Sequence, residues 1–273
     1  MNVRNIAITG TAATILATAM GSVSTALAEA PESPHVFSAN IALTTNYMFR
    51  GVSQTNNGSA VQGGFDYEYS PYNLYVGVWA SNVDSSSGSY VFQDPTTGEI
   101  TLLPQTDDTE EITLEAPGYD GAAMELDIYA GWKPSWNGVD FDLGYLRYQY
   151  PNTDTSENNT DEFHLGISYD VMGYFTPSYT AYYSSDWFGT GSAWYHDLSV
   201  EVPLPYDFTL AGHYGWNRFD DDSGNYQDYS VGISKEYMGF GFDLTWVSRS
   251  DEDLCSRPFQ CGDTGVLTLS KSF

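Results

Sequence analysis

Acidic side chains recur at every second position along several segments of the sequence. Alternate residues of a strand point to the same face, so Asp140 would share a face with Asp142, and Glu125 with Asp127. A confined surface that carries one sign of charge concentrates ions of the opposite sign. We therefore expect these carboxylates to attract cations. The acids on such faces are Asp66, Glu68, Glu125, Asp127, Asp140, Asp142, Glu162, Asp170, Asp197, Glu201, Asp228, Glu236 and Asp243, and the basic or imidazole side chains that accompany them are Arg50, Lys133, Arg249, His164 and His213.

The residue types of nucleophilic catalysis do not form a recognisable set. His196, Asp197 and Ser199 are close in sequence, but adjacent residues of a strand face opposite sides. The sequence contains no hydrolase elbow, metalloprotease, phosphate-loop or dinucleotide motif. We therefore expect neither an enzyme nor a cofactor.

Two cysteines, Cys255 and Cys261, are the only ones in the chain. In an exported protein a close, even pair predicts a disulfide, whereas two sulfurs with no nearby histidine make half a zinc site. The run 220–225 has the acids and the central glycine of a calcium loop, but it lacks the closing glutamate. We expect no bound metal.

Composition narrows the class of protein. Of the 273 residues, 16% are aromatic and 16% are charged, and the formal net charge is −27. A chain this aromatic is not an acidic disordered chain. A nucleic-acid partner is also excluded, because it requires clustered lysine and arginine.

The first 28 residues have the pattern of a secretory signal peptide. Arg4 precedes a mostly small and apolar stretch, and Ala26-Leu27-Ala28 matches a cleavage site. We expect removal after Ala28, leaving residues 29–36 as a short periplasmic segment. An uncleaved anchor helix is the alternative, although the stretch is short for a span.

The remaining chain predicts strands. Twelve segments, from residues 37–49 to 265–273, alternate apolar and polar side chains with period two. Their connections alternate in length: short turns follow the even segments, and longer loops, including an insert at 83–122, follow the odd ones. Outer-membrane barrels have short periplasmic turns and long external loops. We therefore predict an all-β, transmembrane, antiparallel up-and-down barrel of about twelve strands over residues 37–273. A soluble sandwich or jelly roll is the alternative.

Aromatic residues and the chain end favour the membrane. Tyrosines and tryptophans collect near both ends of the segments, as in the aromatic girdles of barrels. The chain ends on Phe273, with Leu267 and Leu269 on the same face. This end is similar to the signature by which bacterial barrels reach the outer-membrane assembly machinery, although Lys271 replaces a more usual apolar residue.

Residues 38–84 resemble the TorF porin family. The motif Tyr47-x-Phe49-Arg50-Gly51-x-Ser53-x-Thr55 is followed by Gly63-Gly64 and by Trp79-Ala80-Ser81-Asn82. The resemblance implies an outer-membrane barrel that acts as a pore, with no well-defined solute. The insert at 83–122 is long for the family, so no loop function carries over.

These patterns predict a porin in the outer membrane of a Gram-negative bacterium that passes small solutes and prefers cations. The expected partners are outer-membrane lipid, the assembly machinery and small solutes or cations. Three alternatives remain: a plugged barrel whose inward acids are satisfied by hydroxyls and by the few bases, a structural or adhesive surface barrel, and an outer-membrane barrel enzyme. The predicted lumen-lining residues are Arg50, Asp66, Glu125, Asp127, Asp142, Glu162, His164, Asp197, His213, Asp243 and Arg249.

Overall fold

A computed structural model describes residues 33–84, 90–93, 100–103, 122–151, 159–220, 224–250 and 262–273. Twelve long strands form a closed antiparallel barrel in which each strand pairs with its neighbours in sequence. The strands are β1 His35–Thr44, β2 Ala60–Tyr69, β3 Leu74–Asn82, β4 Met124–Trp132, β5 Val139–Gln149, β6 Thr160–Tyr169, β7 Thr176–Ser184, β8 Ala193–Leu204, β9 Phe208–Phe219, β10 Gln227–Tyr237, β11 Phe240–Arg249 and β12 Thr264–Ser272. The predicted fold class is confirmed. In the described part of the chain, no helix is long and apolar enough to cross a membrane.

Pairing of the first strand with the last closes the ring. In this seam Asn40 lies opposite Ser272, and Thr44 lies opposite Thr268. The backbone of Phe273 extends the seam, because its N–H donates to the Ala39 carbonyl at 2.9 Å. The final residue of the chain is therefore part of the closure.

The two faces of the wall have opposite character. On β1 the outward side chains Phe37 and Leu43 are 62% and 53% exposed, whereas the inward Ala42 and Thr44 are 1% and 5% exposed. The other strands repeat this pattern, so the outer surface is a continuous apolar band and the lumen is mostly polar. A soluble barrel buries its apolar face inside. This inverted arrangement is that of a barrel whose outer solvent is lipid.

The connections alternate in length as the sequence predicts. The short ones are 70–73, 133–138, 170–175, 205–207 and 238–239, and the long ones are 45–59, 83–123, 150–159, 185–192, 220–226 and 250–263. Met238 and Gly239 have φ of 53° and 74°. Two positive φ values form the tight turn whose twist matches that of paired strands. The barrel thus has a short-turn end and a long-loop end, and within the insert Tyr90–Gln93 pairs with Ile100–Leu103.

The first strand is shorter than predicted. The period-two pattern extends to Phe49, but β1 ends at Thr44. The Asn46 side chain ends the strand, because it accepts a hydrogen bond from Ser53 Oγ at 2.7 Å and donates one to Asn57 Oδ1 at 2.8 Å. Such bonds within a loop compete with the strand ladder. Residues 45–59, which the period-two pattern assigned in part to an external loop, turn into the barrel instead.

Candidate functional site

The lumen is packed differently at its two ends. Near the long-loop end the inward carboxylates are almost fully buried, with exposures of 1% to 5%: Glu125, Asp127, Glu162, Asp197 and Asp228. Towards the short-turn end the inward acids Asp66, Asp142, Glu201 and Asp243 are only half-buried. Water therefore reaches the lumen wall at the short-turn end and is largely excluded at the other.

Residues 45–59, the inserted segment, account for this difference. Met48–Phe49 and Val52–Ser53 pair as a miniature hairpin with Arg50 and Gly51 at its tip. Both tip residues have positive φ, 48° and 76°. This φ region strongly favours glycine, and it makes a reversal possible within two residues. The tip consequently projects the Arg50 side chain into the lumen.

The inserted segment contacts walls on opposite sides of the lumen. On one side the Tyr47 ring packs edge-on against Trp79 at 5.4 Å, and its hydroxyl donates to Glu125 Oε1 at 2.9 Å. On the other side Met48 packs with two valines of β11 and β12. A Cβ at Gly51 would lie 2.8 Å from the Asp228 Cβ, so the tip reaches the wall there as well.

The Tyr47 phenol is a neutral donor. Burial and the neighbouring charge of Glu125 both raise the pKa of Tyr47. Tyr150 donates to the other oxygen of Glu125 at 2.9 Å. The Glu125 carboxylate is thereby held by two hydroxyls, one from the start of the loop 150–159 and one from the inserted segment.

Arg50 occupies a seat built from one carboxylate and four rings. Its Nη2 donates to both oxygens of Glu162 at 2.9 Å, and Tyr148 donates to Glu162 Oε2 at 2.8 Å. The guanidinium carbon lies over aromatic rings at 4.1 to 5.2 Å, those of Tyr195, Trp187, Phe49 and Tyr182. Burial is the largest single influence on the pKa of Arg50 and lowers it, but Glu162 and the neighbouring tyrosines together raise it by more, so the pKa is raised and the charge is kept.

A second network surrounds His213 at mid-height. Its Nδ1 lies 3.1 Å from Asp197 Oδ1, and its Nε2 lies 2.8 Å from Asp228 Oδ1. Only the imidazolium form can donate to both carboxylates. Ser199 Oγ donates to Asp197 and lies 3.5 Å from His213 Nδ1. Both nitrogens of His213 face carboxylates, so the imidazole is not free to accept the Ser199 proton. This arrangement does not resemble that of an activated serine nucleophile.

A third network lies towards the short-turn end. Tyr75 donates to Asp142 Oδ1 at 2.8 Å, and His164 Nε2 lies 3.3 Å from the same oxygen. Lys133 Nζ is 3.8 Å from Asp142 Oδ2. Nearby on the inner face of the wall, the Tyr129 hydroxyl donates to Asp66. Tyrosine hydroxyls are thus the commonest partners of the inward acids, and the sequence pattern did not identify them individually.

Most of the predicted lumen residues lie where the alternation placed them. Those on the inner face of the wall are Asp66, Glu125, Asp127, Asp142, Glu162, His164, Asp197, His213, Asp243 and Arg249. Arg50 also lies in the lumen, but it enters from the inserted segment and not from a strand. Asp170 lies in a short turn, where its carboxylate caps the Gly173 N–H. Cys255 and Cys261 lie outside the described residues, so the disulfide stays a prediction.

The described side chains form no site for a metal ion: no cluster of three or more histidine, cysteine, aspartate or glutamate side chains with suitable geometry occurs in that part of the chain. Most of the buried acids instead accept hydrogen bonds from tyrosine hydroxyls, from His213 or from Arg50. The chemistry that this lumen offers is therefore recognition of charge and of hydrogen-bonding groups.

A family profile described as "Bacterial protein of unknown function (Gcw_chp)" matches residues 28–273. The chain belongs to the Gcw_chp family. No curated protein matches this Gcw_chp chain.

Solved outer-membrane porins share the barrel of this Gcw_chp chain. A KdgM porin matches with a TM-score of 0.51 at 8% identity, over 86% of this chain and 99% of that one. A KdgM porin in complex with disordered oligogalacturonate matches with a TM-score of 0.52 at 7% identity, over 87% and 99%. A NanC porin has a TM-score of 0.48 at 7% identity, over 86% and 98%. At such low identity the likeness concerns the fold alone.

Proposed function

We propose that this protein is an outer-membrane channel for the passive diffusion of small solutes. The observation that carries the proposal is the inverted wall, in which an apolar band faces outward and a polar lumen runs inside. A lipid-facing barrel with a polar interior is the arrangement that passes hydrophilic solutes. The fold shared with KdgM porins and the TorF-like motif in residues 38–84 support the same function and an outer-membrane location in a Gram-negative bacterium.

Cation preference is the second part of the proposal. Inward acids outnumber inward bases, and two of the three bases, Arg50 and Lys133, are each within 4 Å of a carboxylate. Asp127 Oδ1 is buried with no hydrogen-bond partner among the described residues. Three half-buried acids of the short-turn end, Asp66, Glu201 and Asp243, line the more open part of the lumen and add a fixed negative potential. A low-dielectric channel focuses such a potential and raises the local concentration of cations.

The inserted segment must move for solutes to pass through the outer half of the lumen. Hydroxyls and bases satisfy most of the inward acids there, which is the expected pattern of a plugged barrel. We therefore assign this structure to a closed state, and the channel proposal includes an open state in which residues 45–59 leave the lumen.

Reversal potentials in planar bilayers test this function. In a KCl gradient the wild-type protein should show cation preference, strongest in dilute salt, where the Debye length exceeds about 10 Å. The combined substitutions Asp66→Asn, Glu201→Gln and Asp243→Asn should shift the potential towards neutral selectivity with little change in unit conductance. The matched control is Asp220→Asn, which removes one exposed charge from a loop outside the lumen.

Two results would contradict the proposal. Anion preference in the unmodified protein would overturn the assignment of selectivity. Absence of conductance, even in a variant that lacks residues 46–57, would overturn the channel itself and favour a structural or adhesive surface barrel.

A further inference from the structure

The Arg50 seat has the composition of a recognition site for an organic cation. A carboxylate accepts two hydrogen bonds from one planar guanidinium, and four aromatic faces surround the charge. Carboxylates and aromatic faces are the two groups that proteins use to bind guanidinium and alkylammonium ligands. The site already binds a guanidinium in this structure, namely that of Arg50.

The same ion pair occurs elsewhere in this barrel without a seat. On the outer face Arg147 Nη1 donates to both oxygens of Asp161 at 2.9 Å, which matches the distances of the inner pair. The two side chains are 37% and 43% exposed, against 4% and 2% for Arg50 and Glu162. No ring of the described residues lies under the Arg147 guanidinium in the way that four surround Arg50. The burial and three of the four rings, those of Tyr182, Trp187 and Tyr195, therefore belong to the lumen position, whereas the fourth ring, Phe49, moves with the inserted segment.

The occupant is attached to the element that blocks the lumen. Arg50 is the tip of the inserted segment, and its seat combines Glu162 and Tyr148 from the wall of the barrel with the ring of Trp187 from the loop 185–192. Withdrawal of the guanidinium from the seat removes the contact that holds the tip against this wall. Emptying of the seat thus frees the tip, and release of the whole segment also requires the contacts of Tyr47 and Met48 to break.

We propose that the seat around Glu162 is a binding site for solutes that carry a guanidinium or alkylammonium group, and that such a solute competes with Arg50 and thereby releases the inserted segment. This inference rests on the proposed channel function and names its substrate class. A ligand that binds only the state with Arg50 displaced shifts the population towards that state. Glu162 is on a strand and stays in the wall when Arg50 leaves. Its carboxylate, which keeps the hydrogen bond from Tyr148, then offers its negative charge to the incoming cation.

The first experiment measures binding without conduction. Arg50→Ala vacates the seat, and its thermal unfolding midpoint in detergent micelles should fall below that of the wild type. Methylguanidinium at millimolar concentration should raise this midpoint towards the wild-type value, whereas equal concentrations of methylurea or KCl should not. Arg147→Ala is the matched control, because it breaks a pair of equal geometry outside the lumen, and its midpoint should not respond. If Arg50→Ala does not fold, Arg50→Gln retains a hydrogen-bond donor towards Glu162 and serves instead.

The second experiment measures gating in planar bilayers. Methylguanidinium added at constant ionic strength should raise the open probability of the wild type, and Glu162→Gln should lose this response. Failure of methylguanidinium to raise the midpoint of the vacated variant, or an equal rise with methylurea, would overturn the binding site. A channel that opens without any response to methylguanidinium would overturn the release mechanism. Absence of conductance in every variant would refute the channel function. The shift of the unfolding midpoint would still show whether the vacated seat binds methylguanidinium.

Discussion

Tyr47→Phe isolates one hydrogen bond between the inserted segment and the wall. The substitution removes the hydroxyl that donates to Glu125 and retains the ring that packs against Trp79. Phenylalanine fills nearly the same volume, so the change leaves no appreciable cavity. Any loss of stability therefore reports the hydrogen bond.

The expected loss follows from burial. Tyr47 and Glu125 are 4% and 2% exposed, so water does not replace the lost donor. A hydrogen bond to a charged group contributes about 1.5–3 kcal/mol, and removing one partner also leaves the buried acceptor less satisfied. We expect a loss in this range, which is roughly a ten- to hundred-fold change in the folding equilibrium.

Urea unfolding of barrels folded in lipid vesicles, followed by tryptophan fluorescence, measures this loss. Tyr145→Phe is the matched control, because its hydroxyl donates to Asp161 at 2.6 Å on the outer face, where the Asp161 side chain is 43% exposed. That pair lies at the long-loop rim of the barrel, beside the loop 150–159, where water screens it, so the control should lose less than about 1 kcal/mol. Equal losses in the two variants would refute the conclusion that the inserted segment is bound through a buried carboxylate.

Three further predictions concern the segment tip, the chain end and the topology. Gly51 and Gly173 have nearly equal φ, 76° and 75°, but only Gly51 lies against the barrel wall. Gly51→Ala should therefore lower the free energy of unfolding in urea by about 1–3 kcal/mol more than Gly173→Ala does. Similar losses in the two variants would show that the tip lies away from the wall. Deletion of Phe273 should reduce the fraction of protein assembled in the outer membrane far more than it reduces the stability of folded barrels, and normal assembly of the truncated chain would show that the terminal match is accidental. Protease added to intact cells should cleave within 83–122 and spare residues 70–73, and cleavage at the short turn would invert the topology.

Much of the barrel could be predicted from local pattern. Strand alternation is a local property, because each side chain takes the opposite side from its neighbour. The short turns are local as well: Met238-Gly239 reverses the chain by its own φ values. The pattern could not show which face is outside, since a soluble barrel and a lipid-facing barrel alternate alike. Loop lengths and aromatic strand ends predicted the lipid-facing arrangement, and the closed ring, with Phe37 outside and Thr44 inside, has it.

The inserted segment could not be predicted in the same way. Alternation continues through Tyr47 and Phe49, so the pattern indicates a strand where the chain turns inward. The interactions that draw the segment inward are long-range: Arg50 meets Glu162 across a separation of 112 residues. The tyrosine partners of the acids have the same origin, because Tyr47 and Glu125 are 78 residues apart. Parity placed Arg50 and Glu162 in the lumen but could not match them. The same pattern, continued from Phe37, puts Tyr47 on the outward face, whereas the structure buries it beside Glu125.

The seam between the first and last strands has a kinetic consequence. Across it the Leu267 N–H donates to Thr45 Oγ1 at 3.0 Å over 222 residues, and the Thr268 hydroxyl donates to that of Thr44 at 3.0 Å over 224 residues. Every other pairing in the ring joins strands that are consecutive in sequence, so hairpins can form early at a low entropic cost of loop closure. We therefore expect the seam to form last, because it joins the two ends of the chain. Because the inserted segment begins at Thr45, within this seam, the event that seals the ring also fixes the base of the segment that lies inside it.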